Sequence, residues 1–466
     1  MIKIHWFIIN ILPILGFLLA FLFIINIINE RRPPSSTFAW LLAIIFIPYI
    51  SVPLYIIFGG RKMKHMIRKK EKLKTNKLKI NIKTDEKYKN KEILLSTYND
   101  LFPVRYNNWV KILETGEIAF NYLIMLIKNA KKSIYITTYV LGIDETGKSF
   151  LNVLIEKIKE GVEVCLLLDA LGSMGISKTF LSNFKKAGGE YAFFMPMIHV
   201  PFRGRANLRN HRKSVIIDYK FAILGGMNIA QEYMGKTPYN KRWYDFSLAI
   251  KGSAVLDLYS VFYSDWKFAA KKELHLKPDD INYNYKKGHV PLHLVPSGPD
   301  MEGDVLHDTI LTAIFKAKKR IWIVTPYFIP DEMLTKALCI AAERNVEVHL
   351  IIPLVSNHRL ADLIRKNYLI QIQEAGIKIY NFKPGMLHAK LIIIDNMYSI
   401  IGSANMDIRS LFLNYEIALF IYSKEILKQL EKWVVEIMKE CEIGIKKSSI
   451  VSGFLERIAR LLAPLL

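Results

Sequence analysis

The chain has 466 residues, 51% of them hydrophobic, and carries 65 Lys and Arg against 42 Asp and Glu, a formal charge of +23. That length and apolar content exclude a disordered chain and allow one large or two medium domains with a sizeable core; the charge suggests an anionic partner, a lipid surface or a nucleic acid, without choosing between them. Cys165, Cys339 and Cys441 are odd in number and widely spaced, which fits a reducing compartment and argues against a disulfide framework or a zinc site.

The first predicted unit is membrane. Trp6 to Ile28 and Phe38 to Phe58 are uncharged runs of 23 and 21 residues, each long enough to cross a hydrocarbon core of roughly 30 Å as a helix. The first is too long for a signal peptide and lacks a small-residue cleavage site, which favours a retained span. The linker ERRPPSS at 30–36 is short, so residues 1–60 read as a transmembrane hairpin. Residues 61–91 hold fourteen Lys or Arg and three Asp or Glu, against Arg31, Arg32 and Glu30 in the linker. The positive-inside rule then expects a two-span protein of the cell membrane with everything after residue 60 in the cytoplasm. The basic linker, 61–107, has two readings, a headgroup-binding surface and a solvated spacer.

From about residue 108 the chain reads as α/β. KKSIYITTYVLGIDETGKSFLNVLIEKIKEGVEVCLLLDALGS gives strand, helix, Gly161 and then a fully apolar strand of the kind buried in a parallel sheet. A parallel stretch lies at 318–357, so the expectation is two fused domains, 108–290 and 291–448, with mixed, mostly parallel sheets flanked by helices.

The chemistry concentrates in a stretch that occurs twice. Residues 211–218 read HRKSVIID and 388–395 read HAKLIIID, and each continues into a small-residue turn, LGGMN at 224–228 and IGSAN at 401–405. Period-two alternation along a strand puts His211 with Lys213, and His388 with Lys390, on one face. A phosphodiester repels nucleophiles, so transfer needs cations on the non-bridging oxygens, an in-line nucleophile and an acid for the leaving alkoxide. Two facing copies supply all three. One imidazole attacks phosphorus to form a phosphohistidine; the other gives a proton to the departing hydroxyl and later acts as base. Lys213 and Lys390 hold the phosphate oxygens, with Asn228, Asn405 and Ser403 as further donors. Asp245 and Glu416, which follow their motifs at similar distances, are the expected partners of the second imidazole nitrogens. Asp218 and Asp395 sit where the strand turns, and both a structural and a catalytic role stay open for them. The scheme requires no metal and no cofactor, and spacing leaves open which His is the nucleophile.

The duplicated motif resembles that of the phospholipase D superfamily. The wider sequence is similar to the bacterial cardiolipin synthases within it, through RRPPSSTFAWLL, PLYIIFGGRK, LRNHRK, GGMNIAQEY, YDFSLAIKGSAV, TPYFIP, GSANMDIRSLFLNYE and the ending RLLAPLL. The resemblance implies two phospholipase D-like domains, His211 as nucleophile, His388 as acid and base, and transfer of a phosphatidyl group between two phosphatidylglycerol molecules with release of glycerol. Trp243-Tyr244-Asp245 departs from the Trp-Arg-Asp common in the family. The expected partners are phosphatidylglycerol and anionic membrane lipids rather than nucleic acid, because the positive charge clusters beside the spans; a homo-oligomer stays open. Hydrolysis to phosphatidic acid and nuclease-type phosphodiester cleavage are the rival activities. In the tail, 449–466, apolar residues from Ile450 to Leu465 recur at helical spacing, which suits docking on its own domain or lying in the membrane interface.

Overall fold

The computed structural model describes residues 2–29, 34–58, 70–73, 101–195, 208–274 and 288–446. The C-terminal tail, and all of the basic run except 70–73, lie outside the described residues. The described residues fall into two compact units: the N-terminal helices, with Leu208, form one, and 70–73, 101–195, 209–274 and 288–446 form the other.

In the first unit Ile2–Asn29 is one helix of 28 residues, followed by Pro34–Phe46 and Pro48–Phe58. The second expected span is therefore two helices of 13 and 11 residues, broken at Ile47. Pro48 causes the break, since it has no N–H to donate and its ring displaces the carbonyl four residues back. Tyr55 packs edge-on against Phe23 and Trp40, at 5.7 and 5.2 Å between ring centroids, in a small core with Ala20, Ile27, Ile44 and Val52. Over the residues whose side chains are described, no helix is long and apolar enough to cross a membrane.

The second unit turns the sequence duplication into a single sheet. Its first half supplies β1 (Arg105–Leu113), β2 (Ser133–Thr138), β3 (Glu163–Asp169), β4 (Glu190–Phe194), β5 (Ser214–Ile217), β6 (Phe221–Gly225) and β7 (Ser247–Lys251). The second supplies β8 (Val290–Ser297), β9 (Arg320–Val324), β10 (Phe328–Ile329), β11 (Glu347–Pro353), β12 (Lys378–Phe382), β13 (Leu391–Ile394), β14 (Tyr398–Gly402), β15 (Met406–Asp407), β16 (Glu416–Ile421) and β17 (Cys441–Ile443). The order is 17-12-11-9-13-14-16-8-1-7-6-5-2-3-4, with β10 and β15 paired separately. Apart from β17, an extra strand on the outer edge of the second half, each half repeats one order toward the middle of the sheet, 4-3-2-5-6-7-1 and 12-11-9-13-14-16-8. The halves join where β1 and β8 run antiparallel, with Arg105 opposite Leu292.

The sheet is mixed, but not mostly parallel as the sequence led one to expect. In the large sheet only β2–β3–β4 and β9–β11–β12 run parallel; the other neighbours are antiparallel, including the hairpins β5–β6 and β13–β14. The apolar runs that suggested buried parallel strands are buried because helices cover them, and that covering hides strand direction from the sequence. The helix Glu145–Lys159 links β2 to β3, and Glu332–Glu343 lies between β9 and β11, each with an aspartate N-cap, Asp144 and Asp331.

Candidate active site

The two HxK stretches lie just ahead of β5 and β13, in extended chain at the sheet end where β2, β3, β9 and β11 also finish. They are not inside a strand, because each pairs outside its own half. Asn210 bridges Tyr415 and Leu387 bridges Tyr244, both in parallel. The His211 N–H donates to the Tyr415 carbonyl at 2.9 Å, and the His388 N–H donates to the Tyr244 carbonyl at 2.7 Å. Glu416 and Asp245 follow those tyrosines, so each carboxylate is delivered to the histidine of the opposite half.

The result is a crossed pair of dyads. His211 Nδ1 lies 2.9 and 3.1 Å from the two Glu416 oxygens, and His388 Nδ1 lies 2.7 Å from Asp245 Oδ2. A carboxylate only accepts, so each Nδ1 is the protonated nitrogen and Nε2 carries the lone pair. Lys213 Nζ donates to the His211 carbonyl at 2.7 Å, and Lys390 donates to the His388 carbonyl, with its Nζ 2.9 and 3.0 Å from the ring nitrogens. Tyr139 meets His211 edge-on at 5.0 Å between ring centroids, while Tyr233 and Trp243 flank His388 at 5.1 Å each. No sequence signal singles out these aromatics beyond their position near the motifs.

Burial sets the electrostatics. It pushes the Lys213 ammonium down to about 7 and Lys390 to about 8, against the pull of the carboxylates. Burial pushes the Asp245 carboxyl up to about 6, although Lys390 and Lys213 oppose it. It would raise Glu416 too, but the His211 imidazole, with Lys213 and Ser403, holds that carboxyl below its ordinary value. Both histidines titrate lower than usual, through burial first and then the charge of Lys213 and Lys390; His388 falls furthest because Glu416 offsets these effects at His211 while no such pull acts on His388.

The small-residue turns let the carboxylates approach. A Cβ on Gly226 would stand 2.5 Å from Asp245 Oδ2, and one on Gly402 would stand 2.1 Å from the Ile417 carbonyl. Ser403 occupies the turn position that corresponds to Gly226. Its hydroxyl donates to Glu416 and accepts the Ile417 N–H at 3.0 Å, and Asn414 Nδ2 adds a 3.3 Å bond to the same carboxylate. Ser403 therefore supports Glu416 rather than facing a phosphate, because its single proton is committed. Asn228 Oδ1 accepts the Val140 N–H at 3.1 Å, and Asn405 is buried with its Oδ1 unmatched.

Asp218 and Asp395 are not brought to this site. Seven residues of near-extended chain, about 23 Å, separate each from its histidine. Asp218 accepts the backbone N–H groups of Lys131, Lys132 and Ser133, and Asp395 those of Lys318, Lys319 and Arg320. Both sit in the left-handed region, at φ 50° and 51°, a conformation that Asp tolerates better than most residues. Of their two open roles, the geometry supplies the structural one: they fasten the β5–β6 and β13–β14 hairpins to the starts of β2 and β9.

Tyr244 explains a departure. Its backbone carries the bridge to His388, while its side chain is 42% exposed and packs on Phe382 at 4.7 Å. The backbone contact does not depend on which side chain stands there.

A family model described as "Cardiolipin synthase, PLD-like domain" matches residues 123–266 and 310–438, and one described as "Phospholipase_D-nuclease N-terminal" matches 18–60. The chain is 37% identical over 456 residues to a cardiolipin synthase of Clostridium perfringens, covering 94% of this chain and 95% of that one. It is 33% identical over 461 residues to cardiolipin synthase 1 of Bacillus anthracis, covering 94% and 90%. Among solved structures, a phosphatidylserine synthase of Haemophilus influenzae aligns with a TM-score of 0.59 at 17% identity, over 76% of this chain and 94% of the other, a likeness of fold.

Proposed function

We propose, for a chain that belongs to the cardiolipin synthase family of the phospholipase D superfamily, that it joins two phosphatidylglycerol molecules through a phosphohistidine on His211. The observation that carries this reading is the crossed pairing of His211 with Glu416 and His388 with Asp245, beside Lys213 and Lys390. Two imidazoles of matching orientation, with two cations between two carboxylates, suit a symmetric in-line exchange at one phosphorus.

In the first step His211 Nε2 attacks the donor phosphorus. The bond to the glycerol oxygen breaks, and that oxygen takes the proton of His388. In the second step the terminal hydroxyl of another phosphatidylglycerol gives its proton back to His388 as its oxygen attacks phosphorus. The phosphorus–nitrogen bond breaks and cardiolipin leaves, without ATP. His211 suits the nucleophile's part, since its side chain is 13% exposed against 5% for His388 and its carboxylate is held ionised. His388 suits the acid's part once substrate arrives. A bound phosphodiester supplies the negative charge that offsets Lys390 and Lys213, so the ligand itself raises the proton affinity of the imidazole. Lys213, Lys390, Asn228 and Asn405 are the proposed phosphate ligands.

The N-terminal helices serve in this reading as a membrane hairpin with the catalytic portion on the cytoplasmic side. Supporting it are the 28-residue Ile2–Asn29 helix, the exposed apolar side chains Phe17, Phe21, Leu22, Phe38 and Phe46, and the excess of Lys and Arg at 61–91. The full-length protein in vesicles of labelled phosphatidylglycerol gives the test. Cardiolipin and glycerol in equal amounts are expected, whereas phosphatidic acid without cardiolipin would replace the transferase reading by a hydrolase.

A further inference from the structure

The residue between His211 and Lys213 is Arg212, and its surroundings have no counterpart in the second half, where Ala389 stands. Arg212 is buried and fully engaged: Nη1 donates to both Asp265 oxygens at 2.8 and 2.9 Å, Nη2 to the Ser297 carbonyl at 2.9 Å, and Nε to the Glu416 carbonyl at 3.2 Å. Asn210 donates from Nδ2 to Asp265 at 3.0 Å and accepts the Arg212 N–H at 3.1 Å. One buried group thus fixes the backbone on both sides of the His211–Glu416 dyad.

This cluster is completed from a distant part of the sequence. Lys70, in the basic stretch that follows the N-terminal helices, donates to Asp300 Oδ2 at 2.6 Å and to Asp265, with side chains only 2%, 0% and 1% exposed. Its ammonium also stands 4.5 Å from the centroid of Tyr415, the residue whose carbonyl holds the His211 N–H. Leu73 adds a backbone N–H to the Asp300 carbonyl at 3.2 Å and is itself buried. Lys70 and Arg212 balance Asp265 and Asp300, so the cluster is neutral. Without Lys70 a net negative charge would be left on carboxylates that are 0% and 1% exposed, where such a charge is poorly screened.

We infer that Lys70 is a positioning residue for the nucleophilic half of the site. The segment leaving the N-terminal helices is part of the scaffold that holds Arg212, Tyr415 and, through them, His211 and Glu416. A basic run would ordinarily be read as solvated spacer; this one contains an internal fastener. The inference deepens the transferase reading and rests on it.

Full-length Lys70→Met, and the charge-balanced double variant Lys70→Met with Asp300→Asn, provide the test in phosphatidylglycerol vesicles. In Lys70→Met, kcat is expected to fall by roughly 10- to 100-fold, with KM and the fraction of protein on vesicles unchanged. The acid limb of its kcat/KM profile moves to higher pH, because surplus negative charge favours protonated His211. The double variant, neutral again, recovers much of kcat and returns the limb. Wild-type rate and profile in Lys70→Met would overturn the inference. So would a loss that follows only the folded or membrane-bound fraction and is not recovered by the second change. Cardiolipin formation by the wild-type chain in the same assay separates failure of this inference from failure of the transferase reading.

Discussion

His211 Nδ1 and Glu416 Oε1 lie 2.9 Å apart although 205 residues separate them in the chain. The pairing spans the two halves of the duplication, and so does its twin, His388 with Asp245. Neither half contains a complete dyad of its own.

This crossing predicts which step each carboxylate governs. Glu416→Gln keeps the shape but loses the charge that fixes the His211 tautomer, so formation of the phosphoenzyme should slow by roughly 10²- to 10⁴-fold. Asp245→Asn should instead slow proton delivery to the leaving glycerol and removal of the acceptor's proton. Rapid-quench measurement of phosphoenzyme formation and breakdown distinguishes them. Equal effects of both variants on both steps would contradict the assignment.

Histidine substitution tests the division of labour directly. His211→Ala should abolish covalent labelling from radiolabelled phosphatidylglycerol, while His388→Ala should leave a slowly formed, long-lived adduct on His211. Mapping of the labelled peptide decides the matter; label recovered on His388 reverses the roles.

Asp218→Ala and Asp395→Ala should behave as stability variants. Each aspartate accepts three backbone N–H groups far from the histidines. Removal should cost about 2 kcal/mol or more of stability and leave kcat per folded molecule near that of wild type. Thermal unfolding set beside active-site titration checks this, and a large fall in kcat without a fall in stability would return both residues to the chemistry.

The lysines predict the alkaline side of the pH profile. Lys213 and Lys390, pushed by burial to about 7 and about 8, lose their protons as pH rises through those values. Phosphate binding needs the charged form, so kcat/KM, which reports the free enzyme, should fall above neutrality. A bound phosphodiester favours the ammonium, so the limb in kcat should lie at higher pH. A kcat/KM flat to pH 10 would mean that the two ammonium groups stay charged there and that burial has not lowered them.

Much of this was legible in the sequence, for physical reasons that also mark where legibility stopped. Strand, helix, strand units at 133–169 and 320–353 followed from apolar runs, with Gly161 ending the first helix, local signals that survive in a single chain; the aspartate caps Asp144 and Asp331 came only with the structure. The HxK pairs, Asp245 and Glu416 stood out because they occur twice. Their crossing depends on β1 meeting β8, a pairing between strands nearly two hundred residues apart that no local pattern encodes. Strand direction was hidden because helices bury parallel and antiparallel strands alike. Lys70 was invisible among thirteen other basic residues at 61–91, since burial, which sets it apart from the exposed Lys72, leaves no mark in a local pattern. Ser403 looked like a phosphate donor because a hydroxyl beside an active-site turn can face either way.

The turn position held by Gly226 in one half and Ser403 in the other carries a wider implication. Were the site assembled from two identical copies, any side chain introduced at that position would appear beside both carboxylates, and the two imidazoles would stay equivalent. Because the halves are written separately in one gene product, a hydroxyl can be added next to Glu416 while Asp245 keeps bare backbone, and Arg212 can occupy the position that holds Ala389 in the other half. Duplication followed by fusion thus lets a pseudo-symmetric pocket drift apart one position at a time, until the first imidazole and the second are no longer interchangeable.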